Sequence, residues 1–199
     1  MKKKVAKKAG KVKGTTEIKS AAAERDSGKD AVIAALNRAR ADELAAILQY
    51  MAQHYSLDDA DYGQVASNVK LIAIDEMRHA EMLAERIYEI GGVPVTTPSM
   101  RAKREQSIEE ALEQDVELEV TAISDYNDFI DLCRANRDGI SAKLLEQIAD
   151  EEQAHLSYFE NVLDHIQKLG AVYLAQITGG PADAGSSGAV GFVASKGGA

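Results

Sequence analysis

The stretch that decides the fold is Leu71-Ile-Ala-Ile-Asp-Glu-Met-Arg-His-Ala-Glu81, in which Glu76 and His79 stand three residues apart. On a helix, residues at positions i and i+3 share one face, so both side chains can reach the same point. A carboxylate and an imidazole that converge in this way suit a transition metal. A single Glu-x-x-His motif also arises by chance on charged helices, so this copy alone is weak support for a metal site.

The chain repeats the motif at a constant offset. Glu152 and His155 have the same spacing, 76 residues further along the chain. Glu43 precedes Glu76 by 33 residues, and Glu119 precedes Glu152 by 33 residues. One Glu from each of two helices, with a Glu-x-x-His motif from each of two others, is the ligand set of di-iron carboxylate bundles. The doubled spacing therefore predicts a two-metal centre.

Charge explains why metals are expected at these six residues. Four buried carboxylates would repel one another and take up protons, whereas two divalent cations match their charge. Carboxylate oxygens together with two imidazoles suit iron or manganese. We expect Glu76 and Glu152 to bridge the metals, and Glu43 and Glu119 to be terminal ligands. The competing interpretation is a bundle with paired core glutamates and histidines, which the doubled spacing on four inward-facing stripes makes the weaker hypothesis.

Other polar residues surround this set. Each leading glutamate is followed seven positions later by a tyrosine, at Tyr50 and Tyr126. We expect these phenols to lie just outside the ligands, where such groups orient them. Further acidic residues are interpreted as charges on solvated faces or as secondary metal contacts. They are Asp75, Glu81, Glu85, Glu151 and Glu160.

The pattern of apolar residues predicts an all-α fold with four long helices and a short fifth helix. The predicted bounds are about 30–55, 60–90, 107–135, 141–169 and 171–178. The link from Gly91 to Gln106 contains two prolines, so it is not helical. Its 16 residues reach roughly 50 Å when extended, which spans a helix of roughly 42 Å. This predicts a ferritin-like bundle with one long crossover, over residues 29–178.

The two ends of the chain differ from this bundle. Residues 1–20 hold eight lysines and one acidic residue, although the whole chain has a net charge of −9. We predict that residues 1–28 form a basic, flexible arm, with contact to nucleic acid as a less favoured role. Residues 179–199, rich in Gly, Ala and Ser, are predicted to be a flexible tail. The single cysteine, Cys133, excludes a disulfide framework and a four-cysteine site. With no membrane-length apolar run, a cytoplasmic protein without a membrane partner is expected.

The sequence resembles bacterioferritin, and most of all the haem-containing bacterioferritins of sulfate-reducing bacteria. The similarity runs from about Asp30 to Leu174 and is strongest in Gln49–Asp59 and Leu71–Glu81. The matching residues are Asp75-Glu-Met-Arg-His79, Glu43 with Tyr50, Glu119, and Glu152-Gln-Ala-His155. The resemblance implies that all six ligands form a ferroxidase centre. It also implies a shell of twenty-four subunits, built from dimers, that oxidises Fe(II) with O2 or H2O2 and stores a ferric mineral.

The resemblance also implies a haem, of b type or a related porphyrin, held between two subunits by one methionine from each. The matching residue is Met77, which points about 100° away from the metal stripe on a helix. Its counterpart in the second half is Gln153, so one methionine per chain would meet its mate on a twofold axis. The alternative is a methionine that fills a gap at an interface. Leu71 stands where some relatives carry an iron-binding histidine on the inner wall, so that additional site is not expected.

Three hypotheses for function follow. The leading one is an iron-storage ferroxidase, in which two Fe(II) ions each give one electron to O2 or peroxide. The second is a di-metal redox enzyme that does not store iron, such as a peroxidase or a manganese catalase. The third is a DNA-protecting protein that uses the lysine-rich arm. A large cage in size exclusion favours storage, whereas a dimer favours the second hypothesis.

Overall fold

The computed structural model describes residues 14–180, residue 182 and residues 190–197, with side chains from residue 27 onward. The regular elements of this part of the chain are all helices. They are α1 (Gly14–Asp59), α2 (Gly63–Glu89), α3 (Ile108–Ala135), α4 (Gly139–Leu169), α5 (Ala171–Ile177) and α6 (Phe192–Lys196). None of these helices is long and apolar enough to cross a membrane. The prediction of an all-α fold with a short fifth helix is confirmed.

The first four helices form two antiparallel hairpins, α1 with α2 and α3 with α4. The link from α2 to α3 runs along α1 in the direction of that helix. Val95 N donates to Asn37 Oδ1, Ser99 N to Ala41 O, and Lys103 N to Gln49 Oε1, so the contacts advance along α1 as the link proceeds. The link therefore carries the chain to the opposite end of the bundle, and α3 runs parallel to α2. The predicted long crossover is confirmed.

The sequence signals at the helix ends have the expected local geometry. Gly91 has φ of +77° after α2, a conformation that glycine adopts without steric cost. At the start of α3, Ser107 Oγ accepts from Glu110 N at 3.2 Å, and Ser107 N donates to Glu110 Oε2 at 2.8 Å. This reciprocal pair satisfies two backbone N–H groups that the helix itself leaves free.

Apolar side chains fill the bundle on both sides of a polar middle layer. On α2, Val69 and Ile72 belong to one buried cluster, and Leu83 and Ile87 belong to the other. Between them lie the polar residues of the Glu-x-x-His motif. Fully burying a side chain of this kind stabilises the fold by about 1.5–3 kcal/mol. The two clusters therefore supply the stability with which the bundle holds charged groups in its centre.

The start of α1 differs from the prediction of a flexible arm over residues 1–28. The helix begins at Gly14 rather than near Asp30, and it ends at Asp59 rather than at Tyr55. Residues 14–28 contain no proline and include the strong helix formers of Ala21–Arg25. Extending a helix that already exists is cheap, because the costly step is nucleation. Residues 1–13 lie outside the described part of the chain.

The described residues of segment 179–199, for which a flexible tail was predicted, make specific contacts with the bundle. Gly179 N donates to Asp61 O at 3.1 Å, and Ala182 N donates to Asp58 Oδ1 at 2.6 Å. Further on, α6 packs on the bundle, and Phe192 is only 4% exposed. The Gly, Ala and Ser composition of this segment gave no indication that Phe192 would be buried against the bundle. Residues 181, 183–189 and 198–199 lie outside the described part.

Candidate metal centre

The four long helices bring all six predicted ligands to one buried layer. Helix α1 supplies Glu43, α2 supplies Glu76 and His79, α3 supplies Glu119, and α4 supplies Glu152 and His155. None of the six is more than 5% exposed. Each of the six residues lies well inside its helix, and the inward stripes of the four helices meet at this layer.

The ligand atoms form two groups of four that share two members. One group contains Glu43, Glu76, His79 and Glu152, and the other contains Glu76, Glu119, Glu152 and His155. Within each group, the ligand atoms lie within 4.8 Å of one another. Only the two Glu-x-x-His carboxylates, Glu76 and Glu152, belong to both groups. The arrangement therefore has a place for two cations, with a carboxylate pair between them.

The two imidazoles face this layer with the same ring nitrogen. His79 Nδ1 lies 2.9 Å from Glu76 Oε2 and 3.1 Å from Glu152 Oε1. His155 Nδ1 lies 3.0 Å from Glu152 Oε2 and 3.3 Å from Glu76 Oε1. The site thus has an approximate twofold symmetry that follows the repeat in the sequence. Each Nδ1 points at the shared carboxylates, which leaves each Nε2 for another partner.

Those outer partners are two of the acidic residues that were predicted to be either charges on solvated faces or secondary metal contacts. His79 Nε2 lies 3.2 Å from Glu151 Oε2, and His155 Nε2 lies 3.4 Å from Asp75 Oδ2. A carboxylate in this position fixes the tautomer and orientation of a ligating imidazole. Asp75 is 1% exposed, which excludes the solvated-face alternative for this residue. The signal was present: each acid directly precedes the glutamate of a Glu-x-x-His motif, and the two acids share the offset of 76.

Each of the two tyrosines binds a glutamate of the other helical hairpin. Tyr50 on α1 donates its hydroxyl to Glu119 Oε1 on α3 at 2.5 Å. Tyr126 on α3 donates its hydroxyl to Glu43 Oε1 on α1. Burial, together with the nearby carboxylates, raises the pKa of both phenols well above the ordinary value. Both phenols therefore stay protonated and act as donors to the two terminal carboxylates.

The electrostatics of the layer indicate a site that holds positive charge. Burial raises the pKa of Glu43 and Glu119 well above the ordinary value, and the charge of Glu152 adds to this. Burial also opposes ionisation of Glu76, but the charges and hydrogen bonds of His155 and His79 outweigh it and lower its pKa to about 2. Without metals, protons must balance the carboxylates. Divalent cations would replace those protons and suit the donor set, so the residues present fit two metals.

A cavity connects the carboxylates with the surface between α1 and α3. Its volume is about 680 Å³, and its lining includes Glu43, Glu76, Glu119 and Glu152. At the α1 and α3 surfaces it is bordered by Asp42 and Asp125. Arg38 reaches both of these acids, with its Nε 2.8 Å from Asp42 Oδ2 and its Nη2 3.8 Å from Asp125 Oδ2. The cavity thus extends from the Arg38 side chain at the surface to the four carboxylates.

Met77 lies on α2 directly after Glu76 but outside the buried layer. Its side chain is 49% exposed, whereas Glu76 is 1% exposed. The thioether is therefore on the surface of the subunit, as the 100° step of a helix predicts.

Comparisons with known proteins agree with this architecture. Residues 33–169 match the ferritin-like domain of the ferritin family. The chain is 50% identical to the bacterioferritin of Desulfovibrio desulfuricans over 172 residues, which is 86% of this chain and 96% of that protein. The chain belongs to the bacterioferritin family. The resemblance predicted from the ligand motifs is thereby confirmed. A bacterioferritin of Mycobacterium tuberculosis is 32% identical over 155 residues, or 77% of this chain and 98% of that protein.

Solved structures of bacterioferritins extend the comparison to three dimensions. The Desulfovibrio desulfuricans structure has a TM-score of 0.80 and 50% identity, and covers 82% of this chain and 95% of that one. That structure describes the diiron site of that protein in different catalytic states. The Mycobacterium tuberculosis bacterioferritin has a TM-score of 0.70 and 32% identity, and covers 74% of this chain and 93% of that one. The bundle of this chain therefore has the bacterioferritin fold.

Proposed function

We propose that this bacterioferritin is an iron-storage ferroxidase, which oxidises Fe(II) at a two-metal centre and stores the product as a ferric mineral. The observation that carries the proposal is the pair of four-residue ligand groups sharing Glu76 and Glu152. In this assignment, Glu43 and His79 complete one metal position, and Glu119 and His155 complete the other. The diiron site of the 50% identical relative supports the choice of iron.

The residues of the chain bind and orient, and the metals supply the redox chemistry. When bound, two iron ions supply two electrons to O2 or H2O2, one from each ion. Glu43 and Glu119 release the protons that their raised pKa values let them hold in the metal-free state. Tyr50 and Tyr126 keep one oxygen of each terminal carboxylate occupied, which leaves the other oxygen for a metal. The apolar clusters on both sides exclude bulk water, which strengthens the electrostatic interactions in the layer.

Assembly into a closed shell is part of the proposal. Storage requires an enclosed space, and we infer a shell of twenty-four subunits built from dimers. Large apolar side chains on the outer faces of the helices support association. Leu48, Met77 and Val120 are each about half exposed in the single chain. Such side chains are commonly covered at subunit contacts. A role of the lysine-rich residues in binding nucleic acid, and a cytoplasmic location, stay predictions.

We also infer that two subunits would hold a haem between them, through Met77 of each. An exposed thioether on α2, turned away from the carboxylate layer, is the observation that supports this. When bound, the haem would supply a one-electron carrier between the outside and the stored mineral. The two methionine thioethers would tune its electronic properties.

Titration of the metal-free protein with Fe(II) under air tests the proposed function. We expect a fast oxidation phase that saturates at two Fe(II) per chain, followed by a slow phase in which iron stays with the protein. Size exclusion with iron analysis provides the second measurement. Iron that elutes with a particle far larger than the 21.4 kDa chain supports storage. A dimer that oxidises Fe(II) but retains no mineral would instead support a non-storing redox enzyme, and manganese in the purified protein would support a manganese-dependent one.

A further inference from the structure

The described C-terminal segment, residues 190–197, makes the two halves of the metal layer different. Helix α6 packs on α2 and α4, beside the motif that contains His155. The Phe192 ring lies edge-on to the His155 ring, with centroids 6.1 Å apart, and 5.0 Å from the Tyr158 ring. Phe192 is 4% exposed and belongs to the same buried cluster as Ile72 and Phe159. This side chain therefore closes the wall of the bundle next to one metal position.

The backbone of the same segment binds the carboxylate behind His155. Val193 N donates to Asp75 Oδ2 at 2.9 Å, and the same oxygen lies 3.4 Å from His155 Nε2. Arg78 Nη1 binds the other oxygen of Asp75 at 3.1 Å. Gly191 passes so close to Asp75 that a Cβ atom at this position would overlap the carboxylate. A larger residue at position 191 would have to displace the Asp75 carboxylate or the Arg78 side chain, so glycine permits this close approach.

The equivalent pair in the other half is more open. Glu151 lies beside His79 Nε2, just as Asp75 lies beside His155 Nε2. The Glu151 side chain is 25% exposed, whereas that of Asp75 is 2% exposed. Glu151 accepts from the flexible side chain of Gln147 at 3.4 Å, whereas Asp75 accepts from a backbone N–H of α6. The sequence repeat creates two matching histidine–carboxylate pairs, and the described residues 190–197 cover the pair that contains His155.

We propose that α6 is a positioning element for the metal position that contains His155. Val193 and Arg78 hold the Asp75 carboxylate, which in turn fixes the tautomer and direction of the His155 ring. Phe192 blocks rotation of that ring and keeps water from its Nε2 edge. The two metal positions are therefore inequivalent, and the one with Glu119 and His155 binds its cation more tightly. This inference rests on the proposed two-metal centre.

The first test uses Phe192→Ala and a variant that ends at residue 189. Val190→Ala is the matched control, because Val190 belongs to the same segment and is 51% exposed. Co(II) alone is titrated into each metal-free protein and followed by its visible absorption. We expect two binding steps in the wild type. Both test variants should weaken the tighter step by about tenfold, the size typical of groups that orient metal ligands, and leave the other step unchanged. Val190→Ala should match the wild type.

A second measurement reports on the histidines without any metal. Diethyl pyrocarbonate modifies accessible imidazoles, and peptide mass spectrometry locates the modified residues. We expect His155 to react faster in both test variants, whereas His79 keeps its wild-type rate. Equal acceleration of both histidines would indicate general loosening of the bundle and would overturn the proposal.

The outcomes for the two proposals are separable. A wild type that binds fewer than two Co(II) ions per chain contradicts the two-metal centre itself. A wild type that binds two, with Phe192→Ala and the shortened chain indistinguishable from it in both measurements, overturns only the role of α6. If Phe192→Ala does not fold, the shortened chain decides. It leaves an open surface groove in place of Phe192, whereas the substitution leaves a cavity beneath a backbone segment that is still in place.

Discussion

The Tyr126 hydroxyl donates a hydrogen bond to Glu43 Oε1 across the gap between α3 and α1. Tyr50 makes the reciprocal bond to Glu119 from α1 to α3. Each of these helices contributes one terminal carboxylate, and the cavity that leads to the surface lies between them. The two hydrogen bonds therefore hold the carboxylates in place on the side of the site where the cavity lies.

The first prediction concerns Tyr126→Phe. The substitution keeps the ring and removes the only hydroxyl that binds Glu43 Oε1 in the described side chains. The Glu43 carboxylate then loses its fixed direction, and we expect Fe(II) oxidation to slow by about 10–100-fold. Stopped-flow absorption of the ferric product measures this rate. Tyr88→Phe is the control, because Tyr88 is 65% exposed. An oxidation rate in Tyr126→Phe equal to that of the control would show that the hydrogen bond has no role in the reaction.

A second prediction separates the shared carboxylates from the rest of the site. Glu76→Ala and Glu152→Ala each remove a donor that belongs to both ligand groups. Each variant should lose the fast oxidation phase completely, while circular dichroism still shows the helical fold. Glu85→Ala, which removes an exposed acid from α2, is the control and should keep the phase. Wild-type rates in both test variants would rule out the two-metal assignment.

The third prediction concerns how the stability of the protein depends on pH. The dependence should be stronger in the metal-free protein than in the metal-loaded one. The folded-state pKa values of Glu43 and Glu119 are raised above 4.5, and those of His79 and His155 are raised above 6.5. The causes differ: burial dominates for the glutamates, whereas neighbouring carboxylates outweigh burial for the histidines. A raised pKa adds stability below the unfolded value, and this stability is lost as the pH rises through the folded value. The metal-free protein should therefore become less stable between about pH 5 and pH 8.

Thermal melts at several pH values measure this effect. Each kcal/mol of lost stability lowers Tm by about 2–4 °C for a domain of this size. Glu43→Gln should reduce the slope, because it removes one of the groups with a raised pKa. The Co(II)-loaded protein should show a flatter profile between the same pH values, since metals replace the protons. A metal-free Tm that rises between pH 5 and pH 8 would contradict the assigned directions.

Much of the site could be predicted because its residues repeat in the sequence. The offset of 76 relates each ligand in the first hairpin to one in the second, and helix geometry turns that offset into a shared layer. The crossover followed from length alone, since 16 residues can span the bundle. The hydrogen bonds between the two hairpins could not be predicted in this way. The bonds from Tyr50 to Glu119 and from Tyr126 to Glu43 depend on how α1 faces α3, which spacing along a single helix does not determine.

At the two ends of the chain, the positions of α6 and of the start of α1 did not follow from composition or charge. Composition described residues 179–199 as small and polar on average, but one buried phenylalanine and one close-fitting glycine determine where α6 binds. Such a contact depends on the shape of a surface that is formed by α2 and α4. At the other end, charge density indicated an arm, whereas helix extension needs only local propensity and an existing helix. Average composition therefore carries little information where a few residues, or a neighbouring element, decide the structure.

The last prediction concerns Met77 and the inferred haem. Met77→Leu keeps the volume and apolar character of the side chain, so it should cost less than about 1.5 kcal/mol in stability. Glu76 and His79 are untouched, and the variant should assemble and oxidise Fe(II) at the wild-type rate. It should lose the haem absorption, which in the wild type should correspond to one haem per two chains on a twofold axis.

Met82→Leu is the matched control for this experiment, since it makes the same exchange on the same helix at a partly buried position. It should keep the full haem content. If haem carries electrons through the shell, Met77→Leu should also release stored iron more slowly to an external reductant, while Met82→Leu releases it at the normal rate. Haem content that is undiminished in Met77→Leu would mean that this thioether only packs at a subunit contact. The ligand would then have to be sought elsewhere, while the di-iron assignment would stand, because it depends on the buried layer and not on this exposed residue.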